Sequence, residues 1–450
     1  NNLQNPDSSN VNIELTQNGG AVVSGIVTAT AGIEGNLTGN VTGNVTGNLT
    51  GDITATSGTF SGNVSIGGTL SGISSVSTTN LTVNGNAYPN AGPLSHRNMC
   101  INGAAQVAQR GTSSTGNGTG TSAYLAVDRF QTGIANAGTW TISQSTDGPA
   151  GFSNSIKYDC TTAETSLVGG SELWIVQKIE AQNLQHLNYG TADAQDCTFS
   201  FYFKTNKTGV YTVEIYQADA DRTVGFEMGV SQTGWQRYEF VIPGDTAGTI
   251  NNDTGIGFWC FIWMAAGTNK TSGTFTSGSW DAVVTANRLS SSQVNFADST
   301  SNECFLTGVQ LETGSVATTF EYRSYADELA RCQRYYQSYG LETDRSGQGP
   351  FRIVWSSNGA ASQALTGFMF PTPMRTYPTV TSYGSGTAGG DFKVYTGSTS
   401  ATISSWSSIT RSDRSMRLNY SLGVGAGDAA GWIDVGDATN HHAFTLDAEL

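Results

Sequence analysis

The chain has 450 residues, only 12% of them charged, with 56 glycines and a formal net charge of −14. Few lysines and glutamates beside many glycines, threonines and aromatics disfavour long helices and favour β-structure rich in turns. A nucleic-acid binder needs cations to displace phosphate counterions, so nucleic acid is not the expected partner.

No apolar run reaches the ~20 residues a helix needs to span a bilayer, so no membrane insertion is expected. The most apolar stretch, IGFWCFIWMAA at 256–266, is shorter and reads as a buried strand.

After a lead-in of residues 1–19, the chain repeats GNLT GNVT GNVT GNLT GDIT from Gly35 to Thr54. With the strand period of two, Leu37, Val41, Val45, Leu49 and Ile53 share one face with Gly39, Gly43, Gly47 and Gly51 between them. Collagen needs glycine at every third residue, not every fourth. A lone strand with so thin an apolar stripe does not offset an ordering cost of roughly 1–2 kcal/mol per residue. The stripe is therefore expected to bury itself against copies of the chain, with glycines letting the backbones approach an axis. Residues 20–92 read as a narrow shaft of three intertwined chains, which makes the protein a homotrimer. The sequons at Asn36, Asn40, Asn44 and Asn48 are by-products of the repeat and not glycosylation sites.

Beyond YPNAGP (88–93) aromatics appear and strand signals follow at short intervals. They are WTISQS (140–145), SIKYDC (155–160), LWIVQKIE (173–180), CTFSFYFKT (197–205), VYTVEIYQA (210–218), WQRYEFVI (235–242), IGFWCFIW (256–263) and CFLTGVQLE (304–312). Phe199, Phe201 and Phe203 alternate with Ser200, Tyr202 and Lys204, the pattern of a strand with one buried face. Residues 93–322 are read as a jelly-roll-like β-sandwich. The cysteines at 100, 160, 197, 260, 304 and 332 include no CxxC pair, which removes zinc-ribbon and thioredoxin readings. Several lie in apolar strand-like runs, where free thiols pack well.

One linking helix is expected in residues 323–340, capped by Ser324 with Asp327 three residues on. Leu329, Cys332 and Tyr336 would line one face, Asp327 would pair with Arg331, and Gly340 would end it. Residues 341–450 contain FRIVWSS (351–357), ALTGFMF (364–370), DFKVYTG (391–397), SMRLNYSL (415–422) and HHAFTLDA (441–448), read as a smaller C-terminal β-sandwich domain.

The repeat followed by RNMCINGAAQVAQRGTS (97–113), LAVDRF (125–130), FLTGVQLETG (305–314), TTFEYRSYADELARCQRYYQ (318–337), GFMFPTPMRTYPTV (367–380) and the terminal FTLDAEL resembles tail-fibre-like virion structural proteins of tailed bacteriophages, marine cyanophages in particular. The resemblance covers most of the chain. It implies a trimeric fibre on the virion, assembled in the host cytoplasm beside other tail proteins, with jelly-roll domains similar to carbohydrate-binding modules. It supplies no binding residue.

The chain is poor in catalytic chemistry. Its four histidines form no HExxH or His-x-Glu pairing, and no GxSxG elbow occurs. GSGTAG (384–389) matches a phosphate-loop pattern but leads into DFKVY, a strand, so no helix N-terminus awaits a phosphate. Asp219, Asp221 and the NNDTG turn (251–255) have oxygens suited to calcium and are read as ordinary polar turns. No cofactor or metal is expected. Sugar rings stack on aromatic faces, so exposed tryptophans are the candidates for carbohydrate contact. Trp174, Trp235, Trp259 and Trp263 are assigned to the core, whereas Trp280 and Trp406, flanked by small polar residues, are the surface candidates.

The sequence thus leads to an all-β virion appendage, not an enzyme, that attaches to host cell-surface glycan by multivalent binding. The alternatives are a purely structural fibre, decoration or connector without a ligand, and a glycan depolymerase working through paired carboxylates.

Overall fold

The computed structural model describes residues 2–4, 11–15, 21–23, 82–83, 86–87, 96–339, 353–357, 363–382, 392–396, 399–422, 430–435 and 444–450. The repeat at 35–54 lies outside the described residues, as does GSGTAG at 384–389, and of the expected shaft at 20–92 only residues 21–23, 82–83 and 86–87 are described. Residues Asn1–Ser75 form one unit and Val76–Leu450 another. In the first, β1 (Asn2–Gln4), β2 (Val11–Leu15) and β3 (Ala21–Val23) make an antiparallel meander. In the second, β4 (Thr82–Val83) and β5 (Asn86–Ala87) pair as a short hairpin.

The sandwich runs through β6 (Ser113–Asn117), β7 (Thr121–Tyr124), β8 (Phe130–Ala135), β9 (Thr139–Ser145), β10 (Ser155–Thr162) and β11 (Glu172–Glu180). After a 3₁₀ segment at Ala181–Leu187 come β12 (Cys197–Thr205), β13 (Gly209–Gln217), β14 (Arg222–Val230), β15 (Gln236–Ile242) and β16 (Ile256–Ala266). A single helical turn α1 (Thr268–Thr271), β17 (Asp281–Ala282) and β18 (Glu303–Thr313) complete it. One sheet has the order β15-β12-β18-β10-β9-β6 and the other β17-β14-β13-β16-β11-β8-β7. Phe199, Phe201 and Phe203 all point into the space between them, as their alternation predicts. There they meet Tyr211, Val213, Ile215, Ile262 and Met264 from the other sheet in one apolar cluster. Fully burying a side chain of this size contributes about 1.5–3 kcal/mol, so this layer is the main source of rigidity beneath both outer faces. The sandwich strands missed by pattern, β6, β7, β8, β14 and β17, are short or interrupted by glycine and polar residues, which blunts a period-two signal.

All six cysteines are buried and unbridged. Burial pushes the thiols of Cys100 and Cys197 up to about 12 and that of Cys160 up to about 11. Between the ordinary value of 9.0 and these raised ones the folded chain holds protons that the unfolded chain has released. Stability therefore falls as pH rises from about 9 towards 12. A thiol-reactive chromophore at pH 7.5 is expected to label none of the six in the folded chain and all six in urea. Stoichiometric labelling of the folded chain at the rate of free cysteine would contradict this packing.

The linking helix forms as α2 (Tyr325–Gln333), with the Ser324 hydroxyl accepting from Asp327 N at 3.2 Å. It departs from expectation in two ways. The Asp327 carboxylate accepts the Ser324 hydroxyl at 2.7 Å and makes no ion pair with Arg331. The helix also stops seven residues before Gly340, because Arg334 and Tyr335 turn away to bond Glu180 of β11 and Tyr336 opens a strand. Its buried residues are Glu328 and Cys332, and it lies against the sandwich. No helix among the described residues is long and apolar enough to cross a membrane.

The C-terminal region differs from the expected second sandwich. It contains β19 (Tyr336–Tyr339), β20 (Ile353–Ser357), β21 (Gln363–Met369), β22 (Thr379–Ser382), β23 (Phe392–Thr396), β24 (Thr399–Arg411), β25 (Ser415–Leu422), β26 (Ala430–Val435) and β27 (Phe444–Asp447). Strands β20-β21-β25-β24-β23-β26 close into an antiparallel barrel. The reason lies in β24, whose 13 residues carry register shifts at Ile403/Ser405 and Trp406/Ser408. Such bulges bend a strand and raise its twist, which lets one sheet close on itself. The remaining strands form a separate sheet of order β19-β27-β22, so residues 336–339 of the supposed linker belong to this region.

Candidate functional site

β16 is apolar on both faces. Phe258, Cys260, Ile262 and Met264 enter the main core, so the two-residue alternation turns Trp259, Phe261 and Trp263 to the outer face of the seven-stranded sheet. Register then sets their neighbours. Lys178, Val176 and Trp174 of β11 stand opposite Trp259, Phe261 and Trp263, and Tyr216, Glu214 and Thr212 of β13 flank them on the other side.

The rings form a row. Trp259 stacks on Phe261 at 5.5 Å and Phe261 on Trp263 at 5.2 Å, with interplanar angles of 21° and 28°. Trp174 meets Phe261 and Trp263 edge-on, and Tyr216 meets Trp259 edge-on at 6.3 Å. Trp174 can lie this close to the sheet because residue 133 beside it is glycine. A β-carbon there would stand 2.0 Å from the indole.

The row is covered at one end and open at the other. Leu289 and Lys270 close the Trp263 end, and Arg288 lies 5.5–5.7 Å from the rings of Trp263, Tyr216 and Phe261. Arg288 donates to both oxygens of Glu214, at 2.7 and 2.8 Å. The same fully buried carboxylate accepts from Trp263 Nε1 at 2.8 Å and from the Thr223 hydroxyl at 2.6 Å. Burial opposes the charge on Arg288, but Glu214 more than reverses that, and the guanidinium is held above its ordinary pKa. At the other end Trp259 and Tyr216 stay partly exposed. Lys178 Nζ sits 4.0 Å over the Trp259 ring and donates to the backbone oxygen of Leu450 at 2.7 Å. Burial, and then the positive charge of Arg129, pushes Lys178 down to about 8. Three polar atoms hidden from solvent on this face have no hydrogen-bond partner: Trp259 Nε1, the Gln131 side-chain oxygen and the Thr212 hydroxyl. Each such group costs about 1–3 kcal/mol.

Trp280, a surface candidate from the sequence, is only partly exposed. Its indole nitrogen donates to Pro243 O at 2.7 Å, and its ring packs on Phe258 and Tyr189 at 6.2 and 5.9 Å. It is a peg at the rim of the core, away from the aromatic row. Trp406 lies on β24, with its backbone opposite Tyr420, and its side chain is outside the described residues. Trp174 and Trp263 are buried as expected, but in a second apolar cluster on the outer face and not in the main core. Trp259 and Trp235, also expected in the core, are only half-buried: Trp259 lies on the outer face of the sheet, and Trp235 donates to Asp147 at 3.0 Å. Asp219 accepts from the backbone and side chain of Asn251, and Asp253 caps its own turn at Gly255, so these turns bond within themselves. Among the described residues, no cluster of three or more metal-ligating side chains occurs.

The widely separated motifs at 97–113, 125–130, 305–337 and 367–380 meet the C-terminal residues in one buried joint. Asp128 accepts from Gln109 N and Nε2, and Gln109 also reaches Tyr336 O. Arg110 lies 3.6 Å over the Tyr336 ring and Arg129 3.4 Å over the Tyr335 ring. Both arginines pair with Glu449, and Arg375 binds the backbone oxygens of Ala448 and Glu449. Glu312 holds Thr318 through its backbone and its hydroxyl. These motif residues are scaffold, joining the sandwich, α2 and the C-terminal sheet.

No family model and no curated protein matches the chain. Among solved structures, it is similar to a Family 16 Carbohydrate Binding Module-2, at 14% identity over 38% of this chain and 84% of that one, with a TM-score of 0.21. A putative sugar binding protein from Bacteroides thetaiotaomicron is 12% identical over 48% of this chain and 100% of its own, with a TM-score of 0.25. TmCBM61 in complex with beta-1,4-galactotriose is 10% identical over 48% and 99%, with a TM-score of 0.22. Scores this low leave the reading of the site to its own geometry.

Proposed function

We propose that this chain is a virion appendage of the tail-fibre type, whose sandwich binds host surface polysaccharide along the open half of the aromatic row. The observation that carries this reading is the pair Trp259 and Tyr216. They stand 6.3 Å apart and partly exposed on a rigid sheet. A pyranose offers what such a strip needs: an apolar C–H face for the exposed rings. The repeat at 35–54 and the tail-fibre-like motifs support the placement on a trimeric fibre. A single site of ~1 mM affinity supplies only about 4 kcal/mol. Three sites on one fibre raise avidity roughly 10²-fold or more through effective concentration.

A purely structural appendage is the second reading. It is favoured by the convergence of the motif residues on an internal joint and not on a surface. Binding of the full chain to cells of a verified host, with sedimentation to establish its oligomeric state, separates the two. The adhesin reading predicts a trimer whose saturable cell binding is competed by extracted host polysaccharide, with the glycan unshortened after incubation. Cells left bare at saturating protein would favour the structural fibre, and shortened glycan would favour the depolymerase.

A further inference from the structure

The seven-stranded sheet ends at β14 and β17, where residues 274–288 fold back over its edge and enclose a pocket of about 420 Å³. The pocket is built from backbone. Gly278 N donates to Gly225 O at 2.9 Å, Gly273 N to Ala286 O at 2.8 Å, and Thr274 N to the Asn287 side chain at 3.1 Å. Its floor is Gly225, with the Phe275 ring laid against it. A β-carbon at 225 would stand 2.6 Å from that ring. Thr223 and Gly225 are the register partners of Tyr216 and Glu214, so the pocket opens directly beside the aromatic row.

Its polar groups are exposed. The Asp281 carboxylate, the Asn287 amide nitrogen and the hydroxyls of Thr276 and Ser279 have no side-chain partner among the described residues. Phe275 and the exposed Val284 supply an apolar wall. Charge narrows the choice further. The one cation in the lining, Arg288, is already bonded by both oxygens of Glu214, whereas Asp281 is exposed and unpaired. A carboxylate or sulfate entering here would meet an uncompensated negative charge, and an uncharged polyol would not.

We propose that this pocket takes a single uncharged pyranose, the terminal or branching residue of a glycan whose chain lies along Trp259 and Tyr216. The inference rests on the glycan-binding reading and adds selectivity against uronic-acid residues. Saturation-transfer NMR of the full chain would use the methyl glycosides of glucose, galactose, mannose, N-acetylglucosamine and glucuronic acid. Asp281→Ala, Phe275→Leu and Trp259→Ala variants accompany the wild type. At least one neutral glycoside is expected to bind and to weaken about 10-fold or more in both pocket variants. The glucuronide is expected not to bind. Neutral binding unchanged in both pocket variants would overturn the inference, as would tighter binding of the glucuronide or no glycoside bound at all. Affinity electrophoresis in host polysaccharide keeps the two readings apart: retardation lost only with Trp259→Ala would leave the adhesin standing without its pocket.

Discussion

Replacing Arg129 with leucine is expected to lower the unfolding free energy by about 3–5 kcal/mol, the cost of stranding one partner of a buried ion pair. Arg129 is 1% exposed, pairs with Glu449, donates to Lys178 O at 2.8 Å and covers the Tyr335 ring. Its loss leaves the Glu449 carboxylate enclosed, with Arg110 at 3.2 Å as its remaining ion-pair partner. Glu449→Leu should cost a similar amount by stranding Arg129. The double variant Arg129→Leu/Glu449→Leu should recover much of the loss, because replacing both charges with apolar groups of similar size is often neutral. Urea unfolding followed by circular dichroism measures all three. Single variants within 1 kcal/mol of wild type would show that the joint is not held by this pair. The effect should reach the site as well, since Lys178, whose carbonyl Arg129 holds, sits over Trp259.

The second large effect belongs to Glu214. Its two oxygens serve Arg288, Trp263 and Thr223 together, with no exposure to water. Glu214→Leu leaves a guanidinium and an indole N–H unpaired beneath the aromatic row, again a cost of about 3–5 kcal/mol. With Arg288 released from its place 5.5–5.7 Å from Tyr216, Phe261 and Trp263, the aromatic row loses support and polysaccharide binding should fall with stability. Glu214→Gln keeps the shape and some hydrogen bonds, so it should lie between wild type and leucine on both scales. Affinity electrophoresis beside urea unfolding reads both. A Glu214→Leu chain that binds polysaccharide like wild type would detach the site from this carboxylate.

Local signals in the sequence sufficed for the all-β class, for the inward row Phe199, Phe201 and Phe203, and for the Ser324 cap, since each depends on residues a few positions apart. The outer aromatic row was not legible. Both parities of β16 are apolar, so periodicity does not say whether Trp259 or Cys260 faces outward. Only the registers with Lys178 and Tyr216, set by strands distant in sequence, place Trp259 on the open face. Trp280 misled for the opposite reason. Its small polar neighbours look like surface, yet its indole turns in to Pro243 O. A retrospective cue lies in β16 itself, where Trp259, Phe261 and Trp263 share one parity. The Arg129–Glu449 joint spans 320 positions, and barrel closure depends on bulges in β24, neither of which composition or period encodes.

The most direct test of the account is affinity electrophoresis of the full chain in gels containing extracted host polysaccharide, comparing wild type, Trp259→Ala and Trp280→Ala, each shown to be folded by circular dichroism. Trp259→Ala is expected to abolish retardation while Trp280→Ala, a core-rim change, leaves it close to wild type. Retardation that survives in Trp259→Ala and disappears in Trp280→Ala would contradict it and place the binding surface elsewhere on the sandwich.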